Sequence, residues 1–289
     1  MKKTVIFSVL AIAVVSVGLI IGCGTTITTQ PSGAIIRLYY TFPTDPTKKD
    51  KDYSSQNFGS AYSSDGINFT KDAGIRLGPL AKLTDPDVIK ASSNNWIMFY
   101  SKAVSQITTE ASRLYRATCS TPNGPFTDDG SFAGNYGNIS SSINIGGIIH
   151  VYGVSSEGIV ISTYEAGTNK LHYVEVAISG GVADPSVIQL TSNSFKMYYK
   201  SSGDIYCASS TDGKIWGSGT PIVSKAEVPG AVYVNNKIYL YYISSDPSDP
   251  NIGKILVRIS SDNGTTFSSA QVVTGLHDAA CDPDPVVYE

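Results

Sequence analysis

Apolar and polar positions alternate along most of the chain, in short runs separated by polar turns. Asp85-Pro86-Asp87-Val88-Ile89-Lys90 is followed by a turn at 92–95 and then by Trp96-Ile97-Met98-Phe99-Tyr100-Ser101. The same grammar returns in Asp184-Pro185-Ser186-Val187-Ile188-Gln189, a turn at 191–194, and Phe195-Lys196-Met197-Tyr198-Tyr199-Lys200. It returns again in Val228-Pro229-Gly230-Ala231-Val232, a turn at Asn235-Asn236, and Ile238-Tyr239-Leu240-Tyr241-Tyr242. Each unit predicts a short strand, a tight turn and an aromatic, β-rich strand, which is a hairpin signature.

A second turn recurs after each hairpin. It reads Ser63-Ser64-Asp65-Gly66-Ile67-Asn68-Phe69, Ser120-Thr121-Pro122-Asn123-Gly124-Pro125-Phe126, Ser210-Thr211-Asp212-Gly213-Lys214-Ile215-Trp216 and Ser260-Ser261-Asp262-Asn263-Gly264-Thr265-Thr266-Phe267. Asp-Gly and Asn-Gly supply the positive-φ positions that a tight turn requires. The last of these fits the Asp-box pattern of sialidase-type propellers, a structural turn that says nothing about catalysis. Four-stranded antiparallel units repeating about every 45–55 residues predict propeller blades, here over 79–134, 135–180, 181–225 and 226–276. The 135–180 unit keeps its hairpin (Ile143-Asn144-Ile145, Gly146-Gly147, Ile148-Ile149-His150) but lacks the Asp-Pro.

The ends complete the count. The chain closes on Asp282-Pro283-Asp284-Pro285-Val286-Val287-Tyr288, an inner-strand motif with no partner after it. Its folded part opens on Ala34-Ile35-Ile36-Arg37-Leu38-Tyr39-Tyr40, a second-strand motif with no inner strand before it. The prediction is all-β: a five-bladed β-propeller of four-stranded antiparallel blades over 34–289, its ring closed by the C-terminal strand. Closure removes sheet edges that would otherwise invite aggregation. A two-sheet β-sandwich is the alternative.

The N-terminus changes the picture. Met1-Lys2-Lys3 precedes an apolar run from Val5 to Ile21, which reads as a signal peptide over 1–22. Ile20-Ile21-Gly22-Cys23 resembles the bacterial lipobox, so Cys23 is the expected lipidation site. Residues 23–33 then form a flexible tether. The expectation is an exported, membrane-anchored lipoprotein that meets the membrane only through its lipid. An ordinary signal or an anchor helix with an incidental Cys is the other reading. With Lys and Arg totalling 21 against 24 Asp and Glu, for a net charge of −3, there is no basic stripe for nucleic acid. Cys119, Cys207 and Cys281 show no CxxC spacing. They allow at most one disulfide, and three buried thiols is the simpler expectation.

Inner strands of a propeller line its axis, so Asp85, Asp184, Val228 and Asp282 are expected around one mouth, with Glu227 beside Val228. Converging carboxylates raise the pKa of at least one of them, the condition for paired acid and base. Here the chain resembles the five-bladed propeller glycosidases, chiefly glycoside hydrolase family 43 and its arabinanase, xylosidase and invertase-like relatives. In that family a base Asp opens one blade in Asp-Pro. A second Asp two blades on tunes the acid, and a Glu in Glu-Gly-Pro opens the next blade as the acid. The resemblance implies Asp85 as base, Asp184 as tuning residue and Glu227 as general acid, with inversion at a sugar of an oligo- or polysaccharide. Three departures stand out: a blade precedes Asp85, Glu-Val-Pro replaces Glu-Gly-Pro, and the 135–180 blade lacks the acidic motif.

Asp282, Trp96 and Tyr100 are the expected substrate-binding residues, aromatic rings being suited to stack on sugars. No cofactor is implied. Asp282 and Asp284 are the residues that would hold a Ca²⁺ ion, against the simpler expectation that they cap the closing strand. Plain repeat architecture competes for the Asp-Pro motifs, since Pro suits a strand's first residue and Asp caps the preceding turn. Glu227 discriminates, because the repeat does not call for a Glu. A non-catalytic surface lipoprotein that binds a glycan or a protein partner is the alternative function. A sialidase, with six blades, an arginine triad and a Tyr nucleophile, does not match the scattered arginines.

Overall fold

The computed structural model describes residues 33, 35–45, 55–102, 113–132 and 137–287. The expected signal peptide, Cys23 and nearly all of the expected tether lie outside the described residues. In chain order the strands are β1 (Ile36–Pro43), β2 (Gln56–Ser63), β3 (Thr70–Lys71), β4 (Leu77–Leu80), β5 (Leu83–Ser92), β6 (Asn95–Lys102), β7 (Arg113–Cys119) and β8 (Thr127–Ser131). There follow β9 (Asn138–Ile145), β10 (Ile148–Ser155), β11 (Gly158–Glu165), β12 (Lys170–Ser179), β13 (Val182–Thr191), β14 (Ser194–Ser201), β15 (Asp204–Ser210) and β16 (Thr220–Val223). The last are β17 (Ala226–Val234), β18 (Lys237–Ser244), β19 (Ile255–Ser260), β20 (Gln271–Val272) and β21 (Cys281–Val287).

They form five sheets, the blades of a propeller: β21-β1-β2-β3, β5 to β8, β9 to β12, β13 to β16 and β17 to β20. We number these blades one to five. Blade one is closed by the two ends of the folded chain. β21 runs antiparallel to β1, pairing Ile36 with Val287 and Leu38 with Pro285. One boundary differs from expectation. Residues 79 and 80, placed by the expected bounds in the 79–134 blade, belong to β4, which pairs instead with β2 (Gln56 with Leu80, Phe58 with Leu77) in blade one.

The recurring turns do what their residues dictate. In each Ser-x-Asp turn the Ser hydroxyl accepts the Gly N–H (Ser63 from Gly66 and Ser210 from Gly213 at 2.9 Å, Ser260 from Gly264 at 2.8 Å). The Asp carboxylate accepts backbone N–H groups just beyond, as Asp65 does from Ile67 and Asn68 at 2.8 Å. A second-strand tyrosine of one blade then clasps the turn of the next. Tyr39 donates to Pro122 O (2.7 Å), Tyr241 to Gly66 O (2.9 Å), and Tyr152 to Gly213 O. The matching position in blade two is Phe99, and blade three, its neighbour, has no such turn. Phe99 packs on Phe132 and Tyr164 instead. The hydroxyl and the turn it would bond are missing together.

The inner strands β21, β5, β9, β13 and β17 are linked by a second set of bonds. Asp284 accepts the N–H of Val88 (2.8 Å), and Asp87 accepts both the N–H (2.9 Å) and the hydroxyl (2.8 Å) of Ser142. Ser141 accepts the N–H of Val187 (2.9 Å), and Ser186 that of Ala231 (2.8 Å). At the fifth boundary the acceptor position is Gly230 and the donor position is Pro285, which has no N–H. There backbone meets backbone: a Cβ on Gly230 would lie 2.0 Å from Pro283 O.

No disulfide joins Cys119, Cys207 and Cys281, and all three are part-buried rather than buried as expected. The ring of cross-blade bonds sets a stability prediction. Ser186→Ala strands the buried Ala231 N–H and is expected to cost about 1–3 kcal/mol. Gly230→Ala forces a backbone clash and should cost at least as much. Urea denaturation of both variants checks this, and wild-type midpoints would refute it.

Candidate active site

One residue near the start of each inner strand adopts the left-handed conformation: Asp85 (φ 55°), Ile139 (50°), Asp184 (52°), Val228 (53°) and Asp282 (50°). Asp enters this region at modest cost, whereas Ile and Val are genuine outliers there. The kink brings all five residues to the lining of one cavity, together with Pro86, Ser140, Ser141, Pro185, Ser186, Pro229, Pro283 and Asp284. Around its rim the order is Asp282, Asp85, Ile139, Asp184, Val228. Two adjacent carboxylates face a third that is flanked by apolar neighbours. Three expected site residues, Asp85, Asp184 and Asp282, are thus brought together.

Glu227 stands beside the cavity rather than in its lining, about one-third exposed. Its Oε2 accepts a hydrogen bond from Lys200 Nζ at 2.6 Å. Lys200 was not singled out from the sequence. Its signal was there in the repeat: Tyr198-Tyr199-Lys200 aligns with Phe99-Tyr100-Ser101, and only the former carries a charge at the third place.

Trp96 and Tyr100 are not sugar platforms. They are 5% and 0% exposed and sit in the core shared by blades one and two. The other face of β6, with Ile97 and Phe99, packs toward blade three. A second strand covered on both faces offers no free ring. His277 is a satisfied loop residue: it stacks on Phe42 and its Nδ1 accepts the Ala279 N–H at 3.1 Å.

Burial dominates the electrostatics of the axis. Asp85 is pushed well above the usual carboxylate range by burial, and then by the charges of Asp282 and Asp184. Asp184 is raised to about 6 by burial, with Lys200 opposing the rise and Asp282 and Glu227 adding to it. Asp282 is raised by burial against hydrogen bonds, among them the Asp85 N–H at 3.4 Å. Deeper in, burial raises Asp87 to about 6 and Asp284 well above its usual range, the charge of Asp87 adding to the latter. Asp282 and Asp284 thus each spend an oxygen on a backbone N–H of blade two. Among the described residues no group of three His, Cys, Asp or Glu side chains converges to hold a metal ion. Asp282 and Asp284 act as cross-blade acceptors.

Carboxyl groups raised in the folded state stabilise it most below the unfolded value near 4. That stability is lost as pH rises through the folded values, about 6 for Asp87 and Asp184. Asp65 and Asp262, lowered to about 2, act oppositely and lose their contribution only as pH falls toward that value. The melting temperature is therefore expected to peak near pH 4–5 and decline toward pH 8. Asp87, 3% exposed, contributes on the order of 3 kcal/mol to that decline. Asp87→Asn, which keeps an acceptor for Ser142, should flatten it. Melts across this range decide the matter, and a flat wild-type profile would count against it.

No family model matches the sequence, and no curated protein matches it. Solved structures do share its fold. An exo-β-1,3-galactanase from Phanerochaete chrysosporium, solved with β-1,3-galactotriose, superposes with a TM-score of 0.62 at 17% identity, over 85% of this chain and 63% of that one. A family 117 glycoside hydrolase from the marine bacterium Zobellia galactanivorans gives 0.58 at 13%, over 77% and 79%. The GH43_1 enzyme from Xanthomonas citri, complexed with xylotriose, gives 0.58 at 12%, over 82% and 87%. At such identities the likeness speaks for architecture: this chain has the five-bladed β-propeller fold found in these glycoside hydrolases.

Proposed function

We propose that the protein is a glycoside hydrolase that cleaves a plant- or microbe-derived glycan with inversion. The observation that carries this reading is the convergence of Asp85, Asp184 and Asp282 on one cavity, with Glu227 at its side. The fold neighbours solved with galactotriose and xylotriose support oligosaccharide as the ligand class. Asp85 takes a proton from the attacking water, and Glu227 in its protonated form gives one to the departing sugar oxygen. Asp184, which the charge of Glu227 reaches, takes the tuning role. Asp282 binds sugar hydroxyls at the rim.

Asp85→Asn and Glu227→Gln are each expected to lower hydrolysis of a responsive glycan by about 10²–10⁴-fold. The first-formed product should show the inverted anomer by NMR. Variants that hydrolyse at the full rate would overturn the assignment. A second reading, a glycan-binding propeller without catalysis, is favoured by one observation: the Lys200–Glu227 ion pair occupies the intended acid.

The same proposal includes export and lipid anchoring at Cys23, supported by Lys2-Lys3, the apolar run and Ile20-Ile21-Gly22-Cys23. Growth with a clickable palmitate analogue should label the wild type and leave Cys23→Ser unlabelled. Equal labelling of both would refute the anchor.

A further inference from the structure

Lys200 occupies a slot that recurs around the ring. It lies opposite Ala183, the residue before Asp184. In blade two the same slot, opposite Thr84, is held by Ser101, whose hydroxyl accepts the N–H of Ile139 in the next blade at 2.8 Å. The fold uses this place to reach across a blade boundary, and a serine suffices for that. Blade four puts a lysine there, and it reaches Glu227 of blade five.

The charge matters because of its surroundings. Asp282 on β21 and Asp184 on β13 both act on Asp85 on β5, Asp282 acts on Asp184, and Glu227 on β17 acts on Asp184 and Asp282. Nearby Lys225 is paired with Asp246 at 3.1 Å, and Asp204 on β15 accepts the Lys225 N–H at 2.9 Å. Lys200 is thus the cation that both contacts Glu227 and opposes the charge build-up at Asp184. An ammonium carries three donors on a flexible stem. At about one-third exposure, both partners of the pair are reachable by an entering sugar's hydroxyls.

We propose that Lys200 is a positioning residue that holds Glu227 across the boundary between blades four and five as an ion pair, and that this pair must open before Glu227 can carry a proton. The inference rests on the hydrolase reading for its role in turnover. The ion pair exists while Glu227 is ionised, whereas donation to a leaving oxygen requires the carboxyl protonated. These are exclusive states of one group. Sugar hydroxyls that take over the ammonium's hydrogen bonds exchange the first state for the second when substrate is bound. Lys200 touches neither the scissile bond nor the attacking water, and it acts through the carboxyl groups beside it.

The test compares wild type, Lys200→Met and Lys200→Arg in two measurements. The first is kcat/KM against pH on the glycan that the wild type hydrolyses fastest. A general acid loses activity as pH rises, so removing the neighbouring cation should move the alkaline limb upward by about one pH unit. Lys200→Arg, which keeps the charge, should leave the limb in place. The second is the carboxyl ¹³C titration of Asp184, whose midpoint near 6 should rise in Lys200→Met and hold in Lys200→Arg. A uniform loss of activity in Lys200→Met, with limb and midpoint both unmoved, would mean a merely structural lysine and overturn the proposal. A wild type that cleaves no glycan would sink the hydrolase reading and, with it, the role in turnover. The Asp184 titration would still report whether Lys200 sets the charge of its neighbours.

Discussion

Each inner strand of the propeller has one edge paired within its blade and another that turns toward the next blade and the axis. Backbone N–H groups on that second edge have no ladder partner, and burying them unpaired is costly. The structure answers with one short side-chain acceptor at four of the five boundaries: Asp284, Asp87, Ser141 and Ser186. Much else follows from this requirement. It fixes the third residue of each inner motif, it locks the blades in rotation, and it leaves the first residue free to vary. In Asp85-Pro86-Asp87 the two acids therefore have different roles, the second serving architecture and the first available to chemistry.

That available position carries its own tension. Ile139 and Val228 hold left-handed conformations that β-branched residues avoid, at a cost of order 1–3 kcal/mol each. Asp85, Asp184 and Asp282, their counterparts, adopt the same kink and share the cavity lining with them. The desolvated carboxylates add a second unfavourable load along the axis. Burial of the second strands, whose Tyr39, Tyr152, Tyr198 and Tyr241 are fully enclosed, opposes both. A rim strained in backbone and in charge is supported by a well-packed middle layer.

The blade repeat was legible because its turns demand particular residues. Asp-Gly and Asn-Gly at fixed offsets from aromatic strands announce hairpins, and unmatched motifs at the two ends imply a shared blade. β4 straddles the expected boundary at residue 79, because nothing local in Leu77-Gly78-Pro79-Leu80 tells which sheet it joins. Trp96 and Tyr100 were misjudged for a different reason. Pleat alternation sorts side chains into two faces, but only packing reveals that both faces of β6 are covered. The rim acids could be located from the motif spacing. Their electrostatic setting could not, because burial dominates it and, at Asp184, it is opposed by Lys200, which lies 27 residues from the Glu227 carboxylate it holds.

The boundary between blades five and one is unlike the other four. Gly230 has no side-chain acceptor and Pro285 no N–H, so this boundary lacks the side-chain-to-amide bond of the others. β21 lies between blade five and β1, to which it is paired. Its flank toward blade five meets Gly230, which has no side chain to accept a bond, while on the other flank Asp284 accepts the Val88 N–H. The strand that closes the ring is therefore latched to blade two and only packed against blade five.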